Sequence, residues 1–182
     1  MHKKTKIVLL IGAPSTGKTS VLNKLSDLGY VCYEEVSREI IQEARRAGIT
    51  HLFRSDPLMF SQKLLEKRRL QFEEASVSDA DFVFIDRGLP DITAYLDMVN
   101  TDYPDEFLKA NTNFKYDSVF WFPLWDKIYT LDKERYEDFN LAINIEKHLI
   151  KTYTALNYEL VEMPKLNLNQ RIDFLLTHLK NS

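Results

Sequence analysis

Apolar and polar positions fall into blocks along this chain, and the period of the pattern changes from block to block. From Lys6 the run KIVLLIG is unbroken in its aliphatic character up to Gly12, as expected of a strand covered on both faces. From Lys18 to Leu28 the period becomes helical, with Val21, Leu22, Leu25 and Leu28 on one side and Gly29 placed to close the helix. The alternation repeats. Strands are predicted at Tyr30–Glu35, Asp81–Arg87, Tyr116–Phe122 and Tyr158–Met163. Helices are predicted at about Val36–Ala47 (closed by Gly48), Pro57–Ser76, Pro90–Asn100, Glu137–Leu156 and Asn169–Lys180. Asp56 and Pro57 supply an N-cap and a first-turn proline for the second of these. In the helix from Glu137, Ala142, Ile145, Leu149, Tyr153 and Leu156 form one apolar stripe. Five strand-then-helix repeats predict an α/β domain, a parallel sheet with helices on both faces and ligand sites at the carboxyl ends of its strands.

Composition narrows the reading only slightly. With 182 residues, 45% hydrophobic and 28% charged, the chain fits one globular domain over residues 1–182. A net charge of -3 gives no general cationic surface, so no nucleic-acid partner is expected. The apolar run near the start is too short for a membrane span, and the lone cysteine, Cys32, forms no internal disulfide; both fit a cytoplasmic protein. A monomer or small homo-oligomer is expected.

The segment between the first strand and the first helix carries the chemistry. GAPSTGKT, Gly12 to Thr19, satisfies G-x-x-x-x-G-K-[ST] in full. Glycines let such a loop curl so that several amides face one anion, and the following helix adds its positive end. Gly12, Pro14, Ser15, Thr16, Gly17, Lys18, Thr19 and Ser20 are therefore the candidate nucleotide-binding residues. Lys18 would meet the β and γ phosphates of ATP, and the Thr19 hydroxyl would ligate Mg²⁺.

The other strand ends supply partners for that loop. FVFIDRG closes an apolar run with Asp86, placed to hold the metal through its water shell, and Arg87 follows toward the phosphates or the acceptor. Asp91 offers itself for capping the next helix or for the substrate side. In EEVSREI, Glu35 and Arg38 are three residues apart and can face one cleft, with Glu35 as acceptor-side carboxylate and Arg38 on an anionic group. Glu34 stands beside Glu35, and the spacing to Arg38 favours Glu35. Residues 123–138 form a candidate lid, with Lys133 and Arg135 as cations that could close over the phosphates. Trp121, Phe122 and Trp125 would be core or would stack on a base. On the helix KLLEKRRLQFEE, Lys63, Lys67, Arg68 and Arg69 interleave with acids and read as a solvated, ion-paired face. His51, His148 and His178 have no metal-ligand spacing.

Together, GAPSTGKTS, EEVSREI, DRGLPDITAY, ERYED before a long helix, and YELVEMPKLNLNQRIDFLL resemble the NadR-like AAA-domain P-loop ATPase and kinase family over nearly the whole chain. The resemblance implies a three-layer α/β/α fold with strand order 2-3-1-4-5, nucleoside-monophosphate-kinase-like, with an Arg-bearing lid. It implies an acceptor site near Glu35, Arg38, Asp86 and Arg87. A separate sensor or arginine-finger region is not evident, so a hexameric motor is not expected. Two functions follow as expectations: a kinase moving the γ-phosphoryl of ATP to a hydroxyl of a nucleoside-like metabolite, with Lys18, Glu35, Asp86 and Arg135 as its catalytic set, or a nucleotide-switched ATPase or GTPase that contacts a protein or lipid.

Overall fold

The computed structural model describes residues 4–49, 52–127 and 139–181. Five strands, β1 (Lys6–Ile11), β2 (Val31–Tyr33), β3 (Phe82–Asp86), β4 (Ser118–Trp121) and β5 (Leu160–Glu162), build one sheet of order β2-β3-β1-β4-β5. Every neighbouring pair is parallel. The order is the one that the family resemblance implied. The helices among the described residues are α1 (Lys18–Asp27), α2 (Ser37–Arg46), α3 (Leu52–Ser55), α4 (Pro57–Ser76), α5 (Leu89–Met98), α6 (Asp105–Asn113), α7 (Phe139–Ala155) and α8 (Leu168–Asn181).

β1 shows why a strand without polar alternation must be central. Ile7, Leu9 and Ile11 join Val83, Ile85, Ala142, Ile145 and Leu149 in a cluster on one face of the sheet. Val8 and Leu10 face the other way, among Val21, Leu22, Leu25, Phe84, Phe120 and Leu175. Each residue of β1 thus has its own apolar layer, and both layers are needed. A third cluster, including Ile40, Phe60, Leu64, Leu89, Ile92 and Phe107, packs α2 and α4–α6 together beyond the sheet.

The edge strands are shorter than the sequence predicts. β2 covers only Val31–Tyr33 and β5 only Leu160–Glu162. Each pairs on one side only, which leaves the flanking extended residues few ladder bonds to make, although the Met163 amide still donates to the Trp121 carbonyl at 2.8 Å. Helix α6 was not predicted. Its signals were present, with Pro104 before Asp105 and Glu106 and with Phe107 and Ala110 buried at helical spacing, but the asparagine-rich end ANTN has poor helix propensity. Asp56 caps α4 as expected, accepting from the Met59 amide at 2.9 Å, with Pro57 in the first turn.

The fold brings three chain segments to one edge. Leu10 lies opposite Asp86, Tyr33 opposite Ile85 and Ile11 opposite Trp121, so the loop after β1, Glu35 after β2 and Arg87 after β3 all leave the sheet at its carboxyl end. The Arg87 amide adds one more rung, donating to the Leu10 carbonyl at 3.0 Å.

Gly12 shows how tightly the first of these segments is seated. Its φ is 147°, and a Cβ built there would stand 2.5 Å from the Phe122 carbonyl oxygen. Gly29, with φ 89° after α1, would place a Cβ in open space. Gly29→Ala should therefore cost only the left-handed strain, about 1–2 kcal/mol. Gly12→Ala adds a backbone collision and should cost distinctly more, on the order of 3 kcal/mol or above. Urea unfolding of the two variants checks the order, and equal losses would show that the loop can shift away from β4.

Candidate functional site

The loop from Gly12 to Gly17 curls tightly. Ser15 takes φ 61° and Gly17 φ 85°, both in the left-handed region. The Thr16 hydroxyl donates to the Ala13 carbonyl at 3.0 Å and holds the curl closed. Among the described residues, the amides of Ala13, Thr16 and Gly17 find no protein acceptor. The first-turn amides of α1 lack intrahelical acceptors by geometry. Such a set of unpaired donors is a cradle for an anion.

Lys18 stands over this cradle and is buried. Its ammonium donates to the carbonyls of Gly12 and Ala13, each at 2.9 Å, and reaches the Thr16 hydroxyl at 3.3 Å. Burial, and after it the Arg87 charge, lowers its pKa from 10.5 to about 7, against the opposing pull of Asp86, Asp91 and Glu35.

Across the opening lies an acid–arginine cluster. Glu35 Oε1 accepts from Arg68 Nη2 at 2.9 Å and from the Ser37 amide at 3.1 Å. Its other oxygen, Oε2, is ion-paired with Arg87 Nε. Burial pushes the Glu35 carboxyl up, but the Arg68 and Arg87 guanidiniums outweigh it and hold the group below the usual carboxylate range. Arg87 itself sits at φ 69°, with its guanidinium 5.7 Å from the Tyr95 ring centroid. Asp91 is fully buried and heavily engaged. It accepts from the Gly88 amide at 3.0 Å and the Tyr153 hydroxyl at 2.5 Å, and pairs with Arg87 Nη1 at 3.4 Å. Asp91 therefore holds the turn that carries Arg87, in keeping with the capping role weighed for it.

Asp86 ends β3 and is 4% exposed, and its Oδ1 is buried with no hydrogen-bond partner. Burial raises its pKa, while Lys18 opposes the rise. An orphaned carboxylate oxygen beside an anion cradle fits a hydrated Mg²⁺, and the exposed Thr19 hydroxyl at the start of α1 is the second candidate ligand. Among the described residues no group of three or more His, Cys, Asp or Glu could hold a metal alone, so the phosphates and water would complete such a site.

A cavity of about 720 Å³ joins these parts. Its polar end is lined by residues 14–20 with Glu35, Arg38, Arg68, Asp86, Arg87 and Asp91. Its far end is apolar and aromatic, with Ile41, Leu52, Phe53, Phe60, Leu64, Ile92, Tyr95 and Met98. Trp125 lines it as well, whereas Phe122 belongs to the core. Glu34 is exposed, and only its carbonyl is engaged, by the Gln71 side chain at 2.9 Å; the cavity takes Glu35. Lys133 and Arg135 lie outside the described residues, as does most of the candidate lid.

Two arginines escaped the reading of the sequence. Arg68 was assigned to a solvated face, but it is 4% exposed, because it falls on the inward stripe of α4 with Phe60, Leu64 and Ala75. The neighbouring cations do lie outside: Lys67 pairs with Glu39 at 2.9 Å and Glu43 at 3.3 Å, and Arg69 with Glu73 at 3.5 Å. Arg171 on α8 donates to the Thr16 carbonyl at 3.0 Å and lies 4.8 Å from the Phe122 ring centroid, bracing the loop from behind. An arginine interrupting an apolar stripe was the available signal in both helices.

The sequence profile of the AAA domain family matches residues 7–171. The chain belongs to this family. No curated protein matches this AAA domain. Solved structures match its fold. Deoxyadenosine kinase from M. mycoides, with products dCMP and a flexible dCDP bound, aligns over 97% of this chain and 100% of its own, at TM-score 0.70 and 15% identity. NadR in complex with NR aligns over 95% of this chain at TM-score 0.70 and 17% identity, and this chain spans 49% of NadR. Thymidylate kinase from Candida albicans aligns over 98% of this chain and 92% of its own, at TM-score 0.62 and 15% identity. At these identities the shared property is the fold. No helix among the described residues is long and apolar enough to cross a membrane.

The lowered Lys18 pKa has a sign that can be measured. Below about pH 7 the ammonium is already charged, and a polyphosphate binds without taking up a proton. Above it the empty protein must gain a proton on binding, so ATP affinity should fall by up to about tenfold per pH unit. Titration calorimetry between pH 6.5 and 9 checks this. Lys18→Ala should abolish the pH dependence together with most of the affinity, and a flat parent profile would contradict the assignment.

Proposed function

We propose that this AAA domain is a small-molecule kinase that transfers the γ-phosphoryl of ATP to a hydroxyl of a nucleoside-like acceptor, with residues 1–182 acting as one P-loop domain. One observation carries the reading: a single cavity is lined by an anion cradle with its lysine, by an ion-paired glutamate, and by a set of apolar and aromatic side chains. A hydrolase needs the first part alone. A recess with Phe53, Phe60 and Tyr95 on its walls suits the flat ring of an acceptor molecule. The fold neighbours that act on nucleosides and nucleotides support the same class.

The mechanism follows from the placement of charge. The amides of residues 13–19 and Lys18 hold the triphosphate, and Arg171 keeps the loop from opening by its bond to the Thr16 carbonyl. Thr19 and Asp86 would hold Mg²⁺, which would supply charge neutralisation for the triphosphate. Glu35 is ionised at neutral pH and accepts a hydrogen bond from the acceptor hydroxyl, aiming its oxygen at the γ-phosphorus. As the new bond between the acceptor oxygen and the γ-phosphorus forms, the bond between the γ-phosphorus and the β,γ-bridging oxygen breaks, and ADP leaves with that oxygen and its electron pair. The hydroxyl proton passes by way of Glu35 to water, since two guanidiniums make this carboxylate too weak a base to retain it. Arg87 faces the charge that develops on the transferred group, and Arg38 at the cavity wall steers anionic parts of the substrates. Arg135 is proposed to close over the phosphates from the lid.

A nucleotide-switched binding protein needs a docking face, and the basic residues of α4 would be its support. The cations of α4 are largely paired with acids or buried, which weakens that support.

Incubation with ATP, Mg²⁺ and a panel of nucleosides and ribosides should raise ADP release above the acceptor-free rate for at least one member. Glu35→Gln should cut that stimulated rate by about 100-fold or more while ATP affinity is retained. No stimulation by any member of the panel would contradict the kinase reading, and equal rates for parent and variant would remove Glu35 from it.

A further inference from the structure

We infer that Arg68, an interior residue of α4, is a positioning residue that acts through Glu35, fixing the orientation in which its carboxylate meets the acceptor hydroxyl. The inference rests on the acceptor role proposed above for Glu35.

Arg68 is 4% exposed, and its guanidinium spans two separate chain segments. Nη2 donates to Glu35 Oε1 at 2.9 Å, and Nη1 donates to the Gly88 carbonyl at 2.9 Å. One rigid fork thus ties the end of β2 to the turn after β3 that carries Arg87. Both terminal nitrogens are spent on protein acceptors, so any influence on a bound acceptor passes through the groups it holds.

The two oxygens of Glu35 are consequently different. Oε1 receives two donors, Arg68 Nη2 and the Ser37 amide at 3.1 Å. Oε2 is ion-paired with Arg87 but makes no well-directed hydrogen bond and is left without a partner in that sense. Oε2 is buried beside Arg87, so the carboxylate is held in one orientation, set by Arg68 and Ser37 on one oxygen and by Arg87 on the other. Without Arg68, one donor on Oε1 is lost, the carboxylate can rotate about its terminal bond, and among the described residues Arg87 is the charged partner that remains. A lysine could reach only one of the two acceptors with a point charge, so it would restore attraction but not direction.

A double-mutant cycle separates this role from a merely structural one. ADP release is followed with adenosine and deoxyadenosine as acceptors for the parent, Arg68→Met, Glu35→Gln and the double variant. Arg68→Met should lower acceptor kcat/KM by about 100-fold with the ATP KM unchanged. In the Glu35→Gln background the same substitution should change it by no more than about twofold. Arg68→Lys should recover part of the loss. Independent, multiplicative losses in the double variant, or a parallel loss of ATP affinity, would overturn the inference. A crystal structure of Arg68→Met, or of Arg68→Lys should the first not fold, gives a test that needs no acceptor. The Glu35 carboxylate should have turned away from the Ser37 amide. A carboxylate still bonded to Ser37 and paired with Arg87 overturns the inference whatever the turnover. Absence of turnover with a displaced carboxylate would instead tell against the kinase reading and leave the role of Arg68 in holding Glu35 standing.

Discussion

Six of the charged residues that line one cavity at the carboxyl end of the sheet act on one another: Lys18, Arg68 and Arg87 against Glu35, Asp86 and Asp91. Four of them are 5% exposed or less, and the side chains of Glu35 and Arg87 are 15% and 11% exposed. Removing so much charge from water is costly unless each group is paired and hydrogen-bonded, and single removals leave a buried charge with nothing opposite it. Within this set three positive groups face three negative ones while Lys18 is protonated, which lets the protein keep them together, and Arg38, Arg45 and Arg171 add further cations to the lining. On the proposed reading this cationic excess, with a divalent metal beside Asp86, would meet the charge of an incoming polyphosphate.

The sheet makes this concentration of charge possible. Parallel strands with paired registers deliver the ends of β1, β2 and β3 to one edge, and the two apolar layers over β1 hold that edge rigid. Helices then lock the side chains from behind. Tyr153 of α7 bonds Asp91, Arg171 of α8 bonds the Thr16 carbonyl, and Arg68 of α4 bonds both Glu35 and the Gly88 carbonyl. Each of the three helices contributes one polar side chain to the site from an otherwise apolar face. Preorganisation of this kind removes the need to order the groups at the moment of reaction.

Much of this was legible in the sequence for identifiable reasons. The loop reads directly, because a triphosphate cradle demands glycine at fixed places and a lysine at one, and Gly12 indeed has no room for a side chain against Phe122. Asp86 and Glu35 read from position, as carboxylates at the ends of apolar runs. Arg68 and Arg171 did not: their place on an apolar stripe hints at burial, but the partners that explain it, Glu35 and Thr16, are 33 and 155 residues away. Helix α6 was lost to weak local propensity that tertiary burial of Phe107 and Ala110 overrides. Edge strands came out short because their sequence reports extended backbone rather than a pairing partner.

The central claim is that the loop and the Glu35–Arg87 pair face each other across the path of a transferred phosphoryl group. A crystal structure with Mg²⁺ and a non-hydrolysable β,γ-imido analogue of ATP tests it most directly. The account predicts a terminal phosphate held by Lys18 and the amides of residues 13–19, with its outer face open toward Glu35 and the aromatic lining of the cavity. A terminal phosphate turned away from Glu35, or a nucleotide bound elsewhere with the loop empty, would contradict it.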